Sequence, residues 1–345
     1  MSEERKDIKS RNLDELTAIF AELGEPKFRA EQVFQWLHRG VRSFGEMTNL
    51  PRALREKLAE RFELTAPTVE RKQVSQKDGT IKYLWRLADG NCVETVVMEY
   101  EHGVSLCVST QVGCRMGCLF CASSIGGLVR NLEPSEILDQ VIFSGVESGK
   151  RISNIVLMGI GEPLDNFENV MRFLELVTAP QGLNIGMRHI SLSTCGIIEK
   201  VDKLCRYHLQ LTLSVSLHAA DDETRTKIMP INKNVGVDRL FSACGEYFNK
   251  TGRRVSYEYA LIRDVNDTAE HARELARRLR GTGSHVNLIL LNPVVERGLD
   301  ASTPARVREF TGLLESGGVN FTIRRRLGTD IDAACGQLRR LAAKT

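Results

Sequence analysis

Two patterns in this chain of 345 residues predict an α/β fold, in which helices cover a mainly parallel sheet and a small helical module precedes it. Short strand-like runs begin near residue 80, and from about residue 130 almost continuous apolar runs alternate with amphipathic helices, which is typical of buried parallel strands. Residues 1–75 instead carry helical periodicity without strand alternation. We therefore expect a helical accessory domain over residues 1–75. Residues 76–345 should form a second domain, either a barrel-like (β/α) fold or a doubly wound one.

The helical module is predicted to contain three helices. Apolar residues follow one face over residues 13–23, a second face covers residues 28–37, and a third helix follows Pro51. Gly24 and Gly40 mark the ends of the first two helices.

The larger domain is predicted to alternate strands with amphipathic helices. The last helix has Thr303 as its N-cap and Pro304 at its first position. In either α/β arrangement the active site lies at the carboxyl ends of the strands, so polar residues there are candidates for function. The expected strands are residues 93–98, 106–109, 155–158, 190–193, 211–216, 255–261, 286–291 and 321–323, and helices are expected at 134–146, 237–247, 269–279 and 304–314.

Composition narrows the class of protein. Hydrophobic residues make up 42% and charged residues 26%, which is ordinary globular usage and excludes a disordered, fibrous or disulfide-scaffold chain. The formal net charge of +3 is too small to attract a polyanion, so nucleic-acid binding would need local basic patches. A charged start and the lack of a membrane-length apolar run predict a cytoplasmic protein without membrane contact. In a cytoplasmic protein, nine cysteines favour metal binding or thiol chemistry over disulfides.

Three of these cysteines, Cys114, Cys118 and Cys121, lie in one glycine-rich loop after a predicted strand. Thiols at this spacing can bind three corners of a cubic [4Fe–4S] cluster and leave the fourth iron open. An open iron can chelate S-adenosylmethionine, whose sulfonium is then split by one-electron transfer. A zinc site or inert thiols are the alternatives, but structural zinc usually uses two Cys-x-x-Cys pairs and the chain has no second one. The loop, with Phe120 before its last thiol, resembles the radical S-adenosylmethionine superfamily.

Further candidates follow other predicted strands. Gly161, Glu162 and Pro163 alone indicate an ordinary turn, but beside the cysteine loop they resemble the stretch that binds the methionine amino group in this superfamily. Single polar residues in such turns are more often caps than ligands, so the others are predicted as cofactor-binding residues only as a set. That set is Ser193, Ser216, Leu217, His218 and Asn292.

Near the C-terminus, the segment Asp-Ile-Asp-Ala-Ala-Cys-Gly-Gln-Leu at residues 330–338 extends the resemblance over nearly the whole chain. With the motifs around Glu94, Cys107 and His218, it closely resembles the radical S-adenosylmethionine methyltransferases of RNA adenine, the dual-specificity 23S ribosomal RNA and transfer RNA family. That family is related to the chloramphenicol–florfenicol resistance methyltransferases. The resemblance implies a partial (β/α) TIM-like barrel with an N-terminal RNA-binding helical domain.

The family's chemistry explains two further thiols. Carbon 2 of adenine is electron-poor, so it cannot act as the nucleophile of ordinary methyl transfer. The resemblance implies that Cys335 takes a methyl group from one S-adenosylmethionine, and that a 5′-deoxyadenosyl radical from a second one removes hydrogen from it. The methylene radical then adds to the base. Glu94 matches the base that removes the ring proton, and Cys107 would release the product through a transient Cys107–Cys335 disulfide.

Without the resemblance, Cys107 would be interpreted as a buried strand cysteine and Glu94 as an edge-strand carboxylate. Asp330 and Asp332 would disfavour a thiolate at Cys335 if they were close to it, so the sequence does not show what activates this thiol. The remaining four cysteines match no ligand spacing and are assigned to packing: Cys92, Cys195, Cys205 and Cys244.

The expected partners are 23S ribosomal RNA, transfer RNA and an unidentified low-potential electron donor, and we expect a monomer. Phosphates would be held by arginine clusters at 253–254, 324–326 and 339–340. The chain departs from many family members at Ser123, Leu128 and Ile160. Pro163 resembles the carbon-2 enzymes, because the resistance enzymes, which act at carbon 8, tend to have Ala there. Two alternatives to the carbon-2 methyltransferase stay open. One is a carbon-8 methyltransferase, and the other, in another class, is a zinc-stabilised RNA-binding protein without catalytic activity.

Overall fold

A ten-stranded sheet forms the centre of the protein in the computed structural model, which describes residues 7–339. Its first four strands pair antiparallel in sequence order. From β4 onwards all pairs are parallel, in the order β4-β7-β8-β9-β10-β11-β12, which gives a partial (β/α) barrel. The strands of this sheet are β1 (Thr68–Val74), β2 (Ile81–Arg86), β3 (Cys92–Tyr100), β4 (Gly103–Cys107), β7 (Ile152–Leu157), β8 (Ile190–Thr194), β9 (Thr212–Ser216), β10 (Val255–Leu261), β11 (His285–Leu290) and β12 (Asn320–Ile323).

Helices connect the parallel strands and cover them. All helices predicted from the sequence are confirmed, and the Thr303 side chain caps the last one by accepting a hydrogen bond from the Arg306 backbone N–H (3.3 Å). The helices are α1 (Leu13–Glu22), α2 (Lys27–His38), α3 (Arg52–Arg61), α4 (Pro134–Ser148), α5 (Phe167–Thr178), α6 (Ile198–Cys205), α7 (Asp222–Ile228), α8 (Asn232–Val235), α9 (Val237–Thr251), α10 (Ala269–Leu279) and α11 (Pro304–Ser316).

All eight predicted strands are present, but four strands were not predicted. β1 is an exposed edge strand of mixed polar residues, so it lacks the apolar alternation that marks a strand, and it lies in the stretch predicted to be helical. β2 is buried from Ile81 to Trp85, but aromatic and charged residues interrupt its aliphatic positions, so it lacks the continuous apolar run that marks a buried strand. A separate hairpin of β5 (Gln111–Gly113) and β6 (Leu128–Asn131) encloses the cysteine loop.

The N-terminal helices join the barrel through a shared core and a buried ion pair. One hydrophobic cluster runs from Ile8 to Val319 and includes side chains of both parts. Lys9 Nζ lies 2.5 Å from Asp139 Oδ2 in α4 and also donates to the Thr65 carbonyl. Burial raises the pKa of Asp139 to about 7, although the charge of Lys9 opposes this shift. The last of the three N-terminal helices ends at Arg61. The division of the chain into two domains near residue 75 stays a prediction.

Candidate active site

A cavity opens at the carboxyl ends of the parallel strands, where the fold predicts an active site. It brings together most of the predicted site residues from segments far apart in the chain. Those in its wall are Cys114, Cys118, Cys121, Gly161, Glu162, Ser193, Ser216, His218, Asn292 and Cys335. Leu217 is fully buried next to this wall.

The cysteine loop is held at both ends by backbone hydrogen bonds. The Cys114 N–H donates to the Gly127 carbonyl (3.1 Å), and the Leu119 N–H donates to the Ile228 carbonyl (2.9 Å). Gly113 has a φ of +81°, and a Cβ there would lie 2.0 Å from the Gly127 oxygen, so no larger residue fits. The loop therefore presents its three thiols to the cavity on a fixed backbone.

The donor set of this loop fits an iron–sulfur cluster. Burial and then the charge of Cys121 raise the pKa of Cys118 well above its usual range, and burial raises that of Cys114 to about 12. Within residues 7–339 no group of three or more His, Cys, Asp or Glu side chains is arranged to hold a single metal ion. A cubic cluster places its thiolates on separate irons, so its ligands lie farther apart than the thiolates around one zinc ion.

Glu162 turns its carboxylate into the protein. Oε2 accepts a hydrogen bond from the Cys195 N–H (2.7 Å) and Oε1 accepts one from the Leu164 N–H (3.0 Å). Burial raises the pKa of this carboxyl, while these hydrogen bonds oppose the shift. Gly161 has a φ of +109°, and a Cβ would meet Gln111 at 2.7 Å. A larger residue therefore does not fit at position 161, where the backbone itself forms part of the cavity wall.

The segment Ser216-Leu217-His218 forms the neighbouring wall. Ser216 Oγ lies 3.5 Å from Ser193 Oγ on the adjacent strand. His218 accepts a hydrogen bond from the Ala260 N–H at Nδ1 (2.9 Å), and its ring lies 4.5 Å from that of Phe120. Burial, helped by the charge of Arg225, lowers the pKa of His218 to about 3. The imidazole is therefore neutral at physiological pH.

Arg225 holds this segment in place and was missed by the sequence analysis. Its guanidinium is buried and donates to the carbonyls of Leu217 (3.0 Å), Ser216 (3.1 Å) and Cys195 (2.8 Å). A single arginine in a short helix, Asp222–Ile228, gives no sequence signal for such a role. Cys195, assigned to packing from the sequence, also lines the cavity, whereas Cys92, Cys205 and Cys244 are buried and line neither this cavity nor the smaller one beside it.

That smaller cavity contains the two distant cysteines. Cys107 at the end of β4 and Cys335 both line it, and the wall that it shares with the larger cavity includes Asn292 and Cys335. Asn292 Nδ2 donates to the Cys335 carbonyl (3.2 Å). All nine cysteines are free thiols. Burial, followed by the charge of Cys335, raises the pKa of Cys107 to about 12.

Glu94 lies behind this cavity in β3. Its side chain is 2% exposed, with Oε1 3.3 Å from Lys82 Nζ. Oε2 accepts a hydrogen bond from the Arg339 N–H (2.8 Å). Burial raises the pKa of Glu94, and the charge of Lys82 opposes the shift. The neighbouring residues Val96 and Leu338 line the cavity, but Glu94 itself is not part of its wall among the described residues.

The arginine clusters differ in exposure. Arg325 and Arg326 are exposed and line only the smaller cavity, whereas the side chain of Arg324 is only 22% exposed and lines both cavities. Arg339 pairs with Glu296 (2.6 Å). Arg340 lies outside the described residues. Across residues 7–339 no helix combines the length and apolar character that a membrane crossing needs.

Known proteins resemble this chain over nearly its whole length. The model of the ribosomal RNA large subunit methyltransferase N-terminal domain matches residues 7–64, and that of the radical SAM superfamily matches residues 108–279. A relative from Clostridium botulinum named "Probable dual-specificity RNA methyltransferase RlmN" is 50% identical over 340 residues, which cover 99% of this chain and 98% of the relative. One of the same name from Desulforamulus reducens is 52% identical, covering 97% and 96%. The crystal structure of a radical SAM methyltransferase from Sphaerobacter thermophilus has a TM-score of 0.92 at 42% identity, covering 96% and 99%.

Proposed function

We propose, from the premise that this chain belongs to the dual-specificity RNA methyltransferases of the radical S-adenosylmethionine superfamily, that it methylates carbon 2 of adenine in 23S ribosomal RNA and in transfer RNA beside the anticodon. One observation carries the proposal. Cys107 and Cys335 come from distant parts of the chain and line one small cavity beside the cysteine-loop cavity. An ordinary polar methyl transfer needs no such pair, whereas a route through a protein-bound methyl group does.

Its cofactors are a [4Fe–4S] cluster and S-adenosylmethionine, as in the superfamily. Cys114, Cys118 and Cys121 would hold the cluster. The S-adenosylmethionine would lie against Gly161, Glu162, Ser193, Ser216, Leu217, His218 and Asn292. When bound, this pair supplies one-electron cleavage of the sulfonium to a 5′-deoxyadenosyl radical. Family membership sets aside the zinc-stabilised, non-catalytic alternative.

Cys335 would carry the methyl group. It lines both cavities, so the same sulfur is accessible to S-adenosylmethionine on one side and to a base on the other. The Asn292 amide holds the Cys335 carbonyl from the cofactor side. Because the ring of His218 is neutral, it adds no positive charge that would attract the carboxylate of S-adenosylmethionine to itself. These residues position the sulfur and do not take part in proton transfer.

Glu94 and Cys107 would release the product. Glu94 would take the ring proton of the adduct as a carboxylate, which requires a pH above its raised pKa. Because the carboxylate lies behind the cavity wall, the Leu338–Arg339 segment must shift to give it access. Once the adduct radical has also returned one electron to the cluster, Cys107 would attack the sulfur of Cys335, so that the S–S bond forms as the bond from that sulfur to the methylene carbon breaks. The methylene carbon would keep the bonding electrons and take the thiol proton to become the methyl group. Reduction of the disulfide by an external thiol would restore both cysteines.

The RNA partners would be bound by the exposed arginines Arg325 and Arg326 and by the N-terminal helices. Adenine must leave its stack to reach a cavity at the strand ends, as in other enzymes that modify bases. We also propose that the enzyme is a monomer and that it receives electrons from an external low-potential donor.

Nucleoside analysis tests this function directly. Reduced, cluster-loaded protein is incubated with S-adenosylmethionine and either ribosomal RNA fragments or transfer RNA, and the nucleosides are analysed by mass spectrometry and NMR. We expect 2-methyladenosine from both RNAs. Detection of 8-methyladenosine would support the carbon-8 enzymes instead, and methylation of only one RNA would restrict the substrate proposal to that RNA.

A further inference from the structure

The loop that carries Cys335 contains no basic side chain between residues 328 and 338, yet the sulfur is proposed to act as a nucleophile. The acidic residues of this loop are bound elsewhere or exposed. Asp330 accepts hydrogen bonds from Ser75 Oγ (2.7 Å) and the Gln76 N–H (3.0 Å) in the β1–β2 turn. Asp332 is exposed, and its backbone carbonyl accepts from Lys82 Nζ (3.1 Å). A charge that favours the thiolate must therefore come from another element.

Arg324 at the end of β12 lies in the right place. Its backbone N–H donates to the Leu288 carbonyl (2.8 Å), which continues the sheet beyond the strand. Its side chain lines both cavities, and so does Cys335. Nη1 lies 3.3 Å from Sδ of Met158, which follows β7, and 3.8 Å from Glu258 Oε2 in β10, so the guanidinium is held by two separate elements.

Several ionisable groups surround this arginine. Glu258 faces it from β10: Oε2 forms the ion pair with Nη1, and Oε1 accepts a hydrogen bond from the Asn287 amide (2.9 Å). The other ionisable groups at this point are Tyr100 from β3, Cys107 from β4 and Cys335 itself, and Glu94 behind them is paired with Lys82. The charge of Cys335 is the largest cause that raises the pKa of Arg324. Arg325 and Arg326, next in sequence, also line the smaller cavity, but both are exposed to solvent, which weakens their charges there.

We propose that Arg324 is the positioning residue that holds Cys335 as a thiolate for methyl transfer, an inference that rests on the proposed function. The thiol proton passes to solvent. The thiolate then attacks the methyl carbon, so that the Sγ–carbon bond forms as the sulfonium–carbon bond breaks, and the bonding electrons stay on the sulfur of S-adenosylhomocysteine. A guanidinium suits this place because it stays charged when partly buried.

Alkylation of Cys335 tests the inference without RNA and without methyl transfer. Cluster-loaded protein is treated briefly with iodoacetamide between pH 6 and pH 10, and the unmethylated Cys335 peptide is followed by mass spectrometry. We expect Arg324→Met to react about tenfold more slowly than the parent at pH 7.5 and at the parent rate at pH 10, because one pKa unit is a tenfold change in thiolate fraction. Arg324→Lys, which keeps the charge, should lie within about threefold of the parent. Arg308→Met, which removes an exposed charge from α11 that lines neither cavity, should match the parent.

Equal rates in the parent and Arg324→Met at pH 7.5 would overturn the inference. So would a loss of the same size at every pH, since that would indicate changed access rather than changed charge. Where Arg324→Met fails to fold, Arg324→Lys still decides the question, because a tenfold loss in that variant would contradict an electrostatic role. A parent that is alkylated as expected but methylates no RNA would refute the proposed function alone.

Discussion

The pairing of Lys82 with Glu94 makes the pH dependence of product release a sharp test of the proposed base. The two side chains are 8% and 2% exposed and their charged atoms lie 3.3 Å apart. At an effective dielectric constant of 20 this separation corresponds to about 5 kcal/mol as an upper bound. Even a quarter of that energy is about one pKa unit. Replacing Lys82 by Met should therefore raise the already raised pKa of Glu94 further.

The sign follows from the role of the carboxylate. A base acts only when ionised, which means above its pKa, so a higher pKa moves the profile of product release to higher pH. We expect Lys82→Met to slow release by up to about tenfold at pH values below the raised pKa of Glu94 and to approach the parent rate at pH values well above it. The assay is the decay of the covalent RNA–protein adduct on denaturing gels after a single turnover.

The control is Lys77→Met, which removes an exposed lysine from the adjacent turn and should leave the profile unchanged. A profile for Lys82→Met that coincides with the parent, or that moves to lower pH, would refute the assignment of Glu94 as the base. A loss of equal size at every pH would indicate that Lys82 acts only through the Asp332 carbonyl that it also binds.

Three further perturbations follow from the same contacts. Cys107→Ala should accumulate covalent RNA–protein adduct on denaturing gels, because the thiol that releases it is absent; free product at the parent rate would contradict this. Gly161→Ala places a Cβ 2.7 Å from Gln111 at a φ of +109°, and should weaken S-adenosylmethionine binding at least tenfold by calorimetry, whereas Gly126→Ala, with no atom within 4 Å, should not. Lys9→Met leaves Asp139 buried without its partner and should lower the free energy of unfolding by about 3 kcal/mol in urea, against no measurable change for the exposed Arg52→Met.

Much of the site could be predicted because its residues follow local rules. Cys114, Cys118 and Cys121 are close in sequence, so their spacing alone indicates a shared ligand. Candidate residues at strand ends were found because parallel strands share one carboxyl edge. The structure places ten of the thirteen predicted residues in one cavity wall, and the strand-end residues among them are Ser193, Ser216, His218 and Asn292.

The interactions that tune these residues could not be predicted, since they connect elements that no periodic pattern links. Lys82 reaches Glu94 across β2 and β3, and β2 was not recognised as a strand. Arg324 was assigned with its neighbours to an RNA-binding cluster, but its place at the end of β12 turns it inward. Arg225 binds three carbonyls, which carry no side-chain signature. Charge interactions between such distant residues can be predicted only once the order of the strands in the sheet is known.

The central claim is that the methyl group reaches RNA through Cys335, and isotope transfer measures this directly. Cluster-loaded protein is first incubated with S-adenosylmethionine that carries a ¹³C methyl group and is freed of excess reagent. Unlabelled S-adenosylmethionine, reductant and ribosomal RNA are then added for a single turnover. The account predicts that the Cys335 peptide gains one ¹³C methyl group and that the 2-methyladenosine formed first carries ¹³C. Product with only ¹²C, or an unmodified Cys335 peptide in active protein, would contradict it.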